Sequence, residues 1–282
     1  MKKVMFCLSA AAIIMSACGD GDQSKGTETG DSTATKTAPA SKIKGEEISY
    51  KVDTTTVLGY VAYDENSTVK RPAVIVVPEW WGLNEYPKRR ARELAELGYV
   101  AIAVDFYGNG KIGANPEEAG KLAGPFYGNP ALVKSRIDAA ISKLKEYSQV
   151  DTSKIAAIGY CFGGSMVITA AKLGENLKGV VSFHGGLQGI APKKGVTKAD
   201  VLVLHGEADN FVPEADVAQF RKSMDSVGAA YTFKSYPNAT HAFTNPEADE
   251  NKKKFGMPIA YNPAADTASW NDMKVFLSGV FK

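Results

Sequence analysis

Cysteine, excess charge and internal repeats are all scarce or missing in this chain of 282 residues. It has 3 cysteines, and its 33 basic and 31 acidic side chains leave a formal net charge of +2. With this balance the sequence gives no reason to expect nucleic acid or another polyanion as a partner. No apolar run after the amino-terminal leader is long enough to predict a transmembrane helix. The hydrophobic fraction of 44% is ordinary for a globular chain with a sizeable core.

The first 17 residues predict an export signal. Lys2 and Lys3 form a positive region, and Val4 to Met15 is an apolar run too short for a stable membrane-spanning helix. The segment Met15-Ser16-Ala17-Cys18 resembles a bacterial lipoprotein cleavage box, which implies cleavage before Cys18 and a lipid on that residue. The alternative is an ordinary secretory signal cut after Ala17. Both interpretations predict an exported protein, and the first anchors it to a membrane on the periplasmic or cell-surface side.

Residues 18–45 are expected to form a flexible tether, and residues 46–282 a single folded domain. The stretch from Gly19 to Gly45 is rich in Ser, Thr, Gly, Asp and Lys and contains no aromatic residue, so it cannot bury enough surface to fold. Cys7 leaves with the signal, and a lipidated Cys18 has no thiol. Cys161 is then the only free thiol of the mature chain, which excludes an intramolecular disulfide. An unpaired cysteine in an exported protein is a liability unless it is buried or functional.

The domain predicts an α/β fold. Two half-buried antiparallel strands are expected first, at residues 48–52 and 57–63. Apolar runs then predict buried strands at residues 73–77, 100–104, 154–158, 179–183, 201–204 and 231–236. Helices are expected at residues 86–97, 116–123, 130–147, 165–171, 213–227 and 264–281. Alternation of this kind indicates a mostly parallel sheet with helices on both faces, and function in such sheets lies at the carboxyl ends of the strands.

One strand end carries the segment Gly159-Tyr160-Cys161-Phe162-Gly163-Gly164. A strand, a Gly-x-nucleophile-x-Gly turn and a helix form a nucleophile elbow, in which the central side chain is exposed at the edge of the sheet. Small residues are needed at Gly159 and Gly163, where the strand and helix backbones crowd together. The amides at the start of the helix favour a thiolate at Cys161. The alternative is a buried apolar cysteine beside a packing glycine pair.

Two further strand ends carry candidate partners for Cys161. His241 follows the last strand, where its imidazole can take or share the thiol proton. Asp209 follows the preceding strand and can hold His241 in the productive tautomer. The alternatives are a surface-loop histidine and a turn residue or helix-capping acid. Two other strand-end histidines, His184 and His205, are interpreted as structural.

These segments together resemble the dienelactone hydrolases, which have the α/β-hydrolase fold. The resemblance covers Gly59 to Lys282 and rests on residues 78–84, 105–108, 159–164, 204–209 and 241–243. It implies a Cys161-Asp209-His241 triad and a role for Glu79, after the third strand, as the group that takes the thiol proton. It also implies that the backbone amides of Trp80 and Phe162 form the oxyanion hole. The flanking tryptophans and the buried strand independently predict a raised pKa for Glu79; the alternative is a salt bridge from Glu79 to Arg89 or Arg90.

The substrate pocket is expected to include Trp81, Tyr107, Asn109, Phe243 and Asn245. Two of these residues depart from the family, since Asn109 and Asn245 stand in the stretches where the family has carboxylate-binding arginines. Asparagine offers no charged fork to a carboxylate. The dienelactone itself is therefore doubtful as the substrate.

The sequence predicts a hydrolase that cleaves a small-molecule ester or lactone through an acyl-cysteine intermediate. No metal or organic cofactor is implied, and no nucleic-acid partner. The alternative is a catalytically weak hydrolase fold that serves as a ligand-binding lipoprotein. An intact set of Cys161, Asp209, His241 and Glu79 argues against that alternative, because a binding protein needs no triad.

Overall fold

A computed structural model describes residues 40–282. The predicted export signal, the lipidation of Cys18 and most of the predicted tether lie outside the described residues. The elements of the described part are β1 (Ile43–Val52), β2 (Thr55–Asp64), β3 (Arg71–Val77), α1 (Glu85–Glu96), β4 (Val100–Val104), α2 (Pro116–Gly128), α3 (Pro130–Leu144), β5 (Val150–Tyr160), α4 (Phe162–Leu173), β6 (Gly179–Phe183), β7 (Asp200–Gly206), α5 (Glu214–Val227), β8 (Tyr231–Tyr236), α6 (Ala248–Phe255) and α7 (Pro263–Val280).

The strands form one eight-stranded sheet in the order β1-β2-β4-β3-β5-β6-β7-β8. β1 and β2 pair antiparallel, and β2 pairs antiparallel with β4. All remaining neighbours pair parallel. This topology confirms the predicted mostly parallel sheet, and it brings the carboxyl ends of β3, β5, β7 and β8 to the same edge.

Helices pack on both faces of the sheet, as predicted. One face buries Leu94 of α1 and Leu277 of α7 against strand residues such as Val74. The opposite face buries side chains of α2, α3, α4 and α5, among them Ile137 and Met166. The central strands are apolar on both sides because each face is covered. None of the helices between residues 40 and 282 is both long and apolar enough to cross a bilayer.

The predicted tether is wrong in its last residues, since the first strand begins at Ile43 and not after Gly45. Ile43 pairs with Asp64, and Gly45 pairs with Ala62. A Cβ at Gly45 would lie 1.7 Å from the Tyr60 hydroxyl, so glycine is required where this ring crosses the strand. β1 is an edge strand that is half exposed. Its polar composition therefore resembles that of a tether although its backbone is paired.

One helix, α6, was not predicted from the sequence. It begins at Ala248 after the predicted site histidine and ends at Phe255. Lys252, Lys253 and Lys254 are exposed on it. The ring of Phe255 stacks on that of Trp81 at a centroid distance of 5.7 Å, so α6 contributes to one wall of the site described next.

Candidate active site

A cavity of about 360 Å³ opens at the carboxyl edge of the sheet. Of the residues predicted to act in catalysis or substrate binding, those that line it are Glu79, Trp80, Trp81, Cys161 and His241. They come from the loop after β3, the turn after β5 and the loop after β8. The parallel topology has therefore gathered side chains that are far apart in the chain.

Cys161 is the single residue between β5 and α4. Its backbone lies at φ 53° and ψ −114°, a region that non-glycine residues rarely adopt and that costs on the order of 1–3 kcal/mol. A Cβ at Gly159 would lie 2.1 Å from the carbonyl oxygen of Gly163, and one at Gly163 would lie 2.2 Å from that of Val77. The predicted need for small residues at both positions is confirmed. The turn holds Cys161 in a strained conformation at the cavity.

The backbone amide of Cys161 is held by β6 and by a buried histidine. The Cys161 N–H donates to the Phe183 carbonyl oxygen at 3.0 Å and to His184 Nδ1 at 3.1 Å. Because Nδ1 accepts, the proton of this imidazole is on Nε2, which lies 2.7 Å from the Thr244 hydroxyl. Burial, and secondarily the nearby His241, lowers the pKa of His184 well below its ordinary value. His184 is therefore neutral, and it holds the backbone of Cys161 in place between β5 and α4.

His241 and Asp209 form a buried pair. His241 Nδ1 lies 2.8 Å from Asp209 Oδ2, and Asp209 Oδ1 accepts from the Phe211 N–H at 2.9 Å. His241 is 9% exposed, so it is not the surface-loop histidine of the alternative interpretation. Burial alone would lower the pKa of His241, but the Cys161 thiolate and the hydrogen bond to Asp209 outweigh burial and raise it well above its ordinary value. This balance favours an imidazolium when Cys161 is ionised.

Backbone hydrogen bonds between two loops fix the distance between His241 and Asp209. The Glu207 N–H donates to Tyr236 and the Ala208 N–H donates to Ala239, at 3.0 and 2.9 Å. A Cβ at Gly206 would lie 2.5 Å from the Ala239 carbonyl oxygen, so glycine permits this close approach. Backbone contacts alone thus hold the two loops together, without either side chain.

Glu79 is 4% exposed, and the only hydrogen bond of its side chain within residues 40–282 comes from Asn245. Asn245 Nδ2 donates to Glu79 Oε2 at 2.8 Å, whereas Oε1 has no partner there. Burial raises the pKa of Glu79 to about 7, although the Asn245 amide and the charge of His241 oppose the shift. The alternative salt bridge is wrong, because Arg90 pairs with Glu93 and Asp266 instead.

The amides of Trp80 and Phe162 have no hydrogen-bond acceptor in the described part of the chain. The Glu79 carbonyl oxygen accepts from the Gly82 N–H at 3.1 Å. This carbonyl and the Trp80 N–H belong to one planar peptide, so that bond fixes the direction of the free N–H. The Gly163 N–H donates to Pro78 at 3.0 Å and ties the start of α4 to the same loop. Both N–H groups are free to donate to a ligand oxygen.

Four of the five predicted pocket residues do not line the cavity. Tyr107 packs beneath it and donates its hydroxyl to the Trp80 carbonyl oxygen at 2.8 Å. Asn109 lies at φ 57° in an exposed turn, where its N–H donates to Thr56 on β2. Phe243 is fully buried against His184. Asn245 also lies behind the wall, where it contacts Glu79.

Several other residues line the cavity although nothing in the sequence marks them as site residues. They come from α2, from the loops after β6 and β7, and from the segment after α6, and they include Gly120, Gly124, Tyr127, Gly186, Phe211, Met257 and Ile259. Within residues 40–282 no group of three or more His, Cys, Asp or Glu side chains is placed to hold a metal ion.

The sheet topology, the strained residue between β5 and α4, and the histidine-acid pair after the last two strands define an α/β-hydrolase fold. A sequence profile of the dienelactone hydrolase family matches residues 57–281, and the chain belongs to that family. This confirms the resemblance found in the sequence and makes the protein a hydrolase that acts on carboxylic ester bonds.

Similar proteins cover nearly the whole domain. "Protein usf" of Aquifex pyrophilus is 30% identical over 233 residues, which is 80% of this chain and 95% of that protein. A putative carboxymethylenebutenolidase of Aquifex aeolicus is 29% identical over 232 residues, with coverages of 80% and 94%. Among solved structures, a dienelactone hydrolase-like promiscuous phosphotriesterase, P91, from metagenomic libraries has a TM-score of 0.80 and 33% identity, with coverages of 85% and 99%.

Proposed function

We propose that this protein hydrolyses an uncharged carboxylic ester or lactone through an acyl-cysteine intermediate on Cys161. The observation that carries the proposal is the shared cavity of Cys161, His241 and Glu79, behind which Asp209 bonds His241 at 2.8 Å. In the proposed roles Cys161 is the nucleophile, His241 the general acid and base, and Asp209 the residue that orients it. Glu79 is the base that activates the thiol.

Acylation begins when the Glu79 carboxylate takes the Cys161 thiol proton. The thiolate attacks the carbonyl carbon, and the carbonyl π electrons move to oxygen, which the amides of Trp80 and Phe162 stabilise. As the oxyanion collapses, the C–O bond to the alcohol breaks. The His241 imidazolium gives its proton to the departing oxygen, which leaves an acyl thioester and a neutral imidazole.

Deacylation uses the same imidazole in the opposite direction. His241 takes a proton from water, and the resulting hydroxide adds to the thioester carbon. Collapse breaks the C–S bond, releases the carboxylic acid and restores the thiolate beside the imidazolium. The protonated Glu79 then returns its proton to Cys161. Because His241 is an acid in one half-reaction and a base in the other, its hydrogen bond to Asp209 must serve both forms.

The charge of the cavity supports an uncharged substrate. No lysine or arginine is among the described residues that line it. Arg136 lies near the site but donates to the Phe106 carbonyl oxygen at 3.0 Å, and Lys111 is exposed outside the cavity. A substrate carboxylate would therefore be buried without a lysine or arginine to pair with it, which is costly.

The test is ester hydrolysis by wild type and by Cys161→Ala. We expect the substitution to lower kcat/KM by at least about 10³-fold, since it removes the attacking atom. Iodoacetamide should abolish the wild-type activity in proportion to alkylation of Cys161. Full activity in the alkylated protein would refute the nucleophile assignment. Ligand binding without turnover by wild type would favour the binding-protein alternative.

We also propose that the chain is an exported lipoprotein held to a bacterial membrane through Cys18. The support is the sequence of the leader and its Met15-Ser16-Ala17-Cys18 box. Cys18→Ala should leave the protein unprocessed or release it from the membrane fraction. A cleaved Cys18→Ala protein that stays attached to the membrane would exclude anchoring through this residue.

A further inference from the structure

The structure assigns a specificity role to α2: its two glycines at the cavity, Gly120 and Gly124, make room for a bulky, apolar, uncharged group of the substrate. This inference rests on the proposed ester hydrolysis and deepens it, because it names what kind of ester the site accepts. The two residues are defined here as the glycine wall of the cavity.

Position is the first argument. Gly120 and Gly124 are one helical turn apart on α2, so they lie on the same face of the helix. Both line the cavity that contains Cys161. Both are also exposed to solvent, so they lie at the open side of the cavity.

The second argument is that nothing in the backbone or the packing requires glycine at Gly120. Gly124 precedes Pro125 within α2, where proline disfavours a helical residue with a Cβ, so the argument rests on Gly120. Neither residue has a positive φ. A Cβ at Gly120 or Gly124 would meet no atom within 4 Å. By contrast, a Cβ at nearby Gly113 would lie 2.7 Å from Ala119, so that glycine is needed for packing. Glycine within a helix destabilises it relative to alanine. The glycine wall therefore lowers the stability of α2 and leaves open volume in the cavity.

The third argument comes from the opposite side of the cavity. Glu79, which also lines it, is 4% exposed and has an Oε1 atom with no partner among residues 40–282. A buried polar atom without a partner in a cavity points to a ligand that occupies it. The volume of about 360 Å³ falls within the range of small-molecule sites, roughly 300–1,000 Å³.

The other walls give the chemistry of the bound group. They carry Trp81, Ala123, Tyr127, Met257 and Ile259 and include no lysine or arginine. The bulky group is therefore apolar and uncharged. It belongs either to the acyl part or to the alcohol part of the ester, and separate substrate series distinguish the two.

Gly128 provides a matched control on the same helix. It continues the four-residue spacing of the glycine wall, and its Cβ would also meet nothing within 4 Å, but it does not line the cavity. If this face of α2 served instead for close packing against another chain, a leucine at Gly128 would lower activity as much as a leucine on the glycine wall. The two positions thus separate a substrate wall from a packing face.

The experiment measures kcat/KM for Gly120→Leu, Gly128→Leu and wild type on two substrate series. One series lengthens the acyl group of p-nitrophenyl esters from acetate to octanoate, and the other enlarges the alcohol of acetate esters from ethyl to naphthyl. For Gly120→Leu we expect the ratio of bulky to small substrate to fall at least about 10-fold in one series. Gly128→Leu should keep the wild-type ratios.

Equal losses on bulky and small esters, unchanged ratios in Gly120→Leu, or an equal effect of Gly128→Leu would overturn the inference. If Gly120→Leu does not fold, Gly120→Ala replaces it, because alanine favours the helix and should still lower the ratio for the largest ester. Failure of the proposed function is distinguishable, since it would leave no Cys161-dependent hydrolysis even of p-nitrophenyl acetate. An inference that fails alone would leave that hydrolysis intact without dependence on size.

Discussion

Replacing Glu79 by glutamine should make the protein more stable at alkaline pH and, at the same time, nearly inactive. The carboxyl is buried, and burial raises its pKa from the ordinary 4.5 of a glutamate to about 7. In the unfolded chain Glu79 loses its proton near the lower pH, and in the folded protein near the higher one. Between these values the folded state binds more protons, so the free energy of unfolding falls as the pH rises. Above about pH 7 the loss is complete and constant.

The size of the effect follows from the shift. At roughly 1.4 kcal/mol per pKa unit, the ionised carboxyl costs the folded protein about 3 kcal/mol above pH 7. Glu79→Gln removes this pH-dependent cost, since the amide does not ionise. Any loss from the unpartnered Oε1 position is the same at all pH values and cancels in a comparison between two pH values.

The assay is denaturant unfolding of wild type and Glu79→Gln between pH 4 and pH 9. Relative to wild type, the variant should gain about 3 kcal/mol between the acidic and the alkaline ends of this range. Glu96→Gln is the matched control, because Glu96 is exposed. A stability difference between variant and wild type that stays constant with pH within about 0.5 kcal/mol would refute the raised pKa and the argument from burial. The esterase activity of the variant should be low throughout.

Three further predictions concern the same site. Asn245→Ala removes a hydrogen bond to the ionised Glu79, so the fall of kcat/KM at acidic pH should move upward by about one to two pH units. A fall that still lies near pH 7 would contradict this, and Glu79→Gln should show no such fall. His184→Phe should lower the free energy of unfolding by about 1–3 kcal/mol and lower kcat, because the Cys161 N–H loses an acceptor; His184→Asn should restore part of both if the hydrogen bond is responsible. A neutral ester should be hydrolysed at least as well as its carboxylated counterpart, and a preference for the acid of about 10²-fold, or about 2.7 kcal/mol, would point to a cation that reaches the cavity.

The residues at the strand ends were predictable from the sequence, because a parallel α/β topology can be recognised from the alternation of apolar strands and helices alone. Parallel strands that alternate with helices place their carboxyl ends at one edge of the sheet. A cysteine, an aspartate and a histidine that follow β5, β7 and β8 are therefore brought to the same edge. The structure brings Cys161, His241 and Glu79 to one cavity, with Asp209 bonded behind His241. Apolar runs and glycine turns were enough to locate these positions.

The cavity walls could not be predicted in the same way, because they depend on side-chain direction and on helices outside the sheet. Tyr107 and Phe243 do follow strands, but their rings turn into the core. Asn109 lies in a turn with positive φ that directs it to solvent. Gly120 and Gly124 carry no chemical signal at all in the sequence. Only the placement of α2 over the strand ends shows that their missing side chains leave space for a ligand.

The neutral amide of Asn245 explains why stability and catalysis are opposed at Glu79. A cation in its place would hold Glu79 ionised and lower its pKa, which would make it a poor acceptor for the thiol proton. The amide orients the carboxylate through one hydrogen bond and leaves the pKa at about 7, so that both protonation states are accessible near neutral pH. The energetic cost of burying Glu79 and the proton exchange with Cys161 that we propose thus have the same physical cause. Because the cavity also has no lysine or arginine in its lining, we expect these surroundings to favour uncharged esters as well.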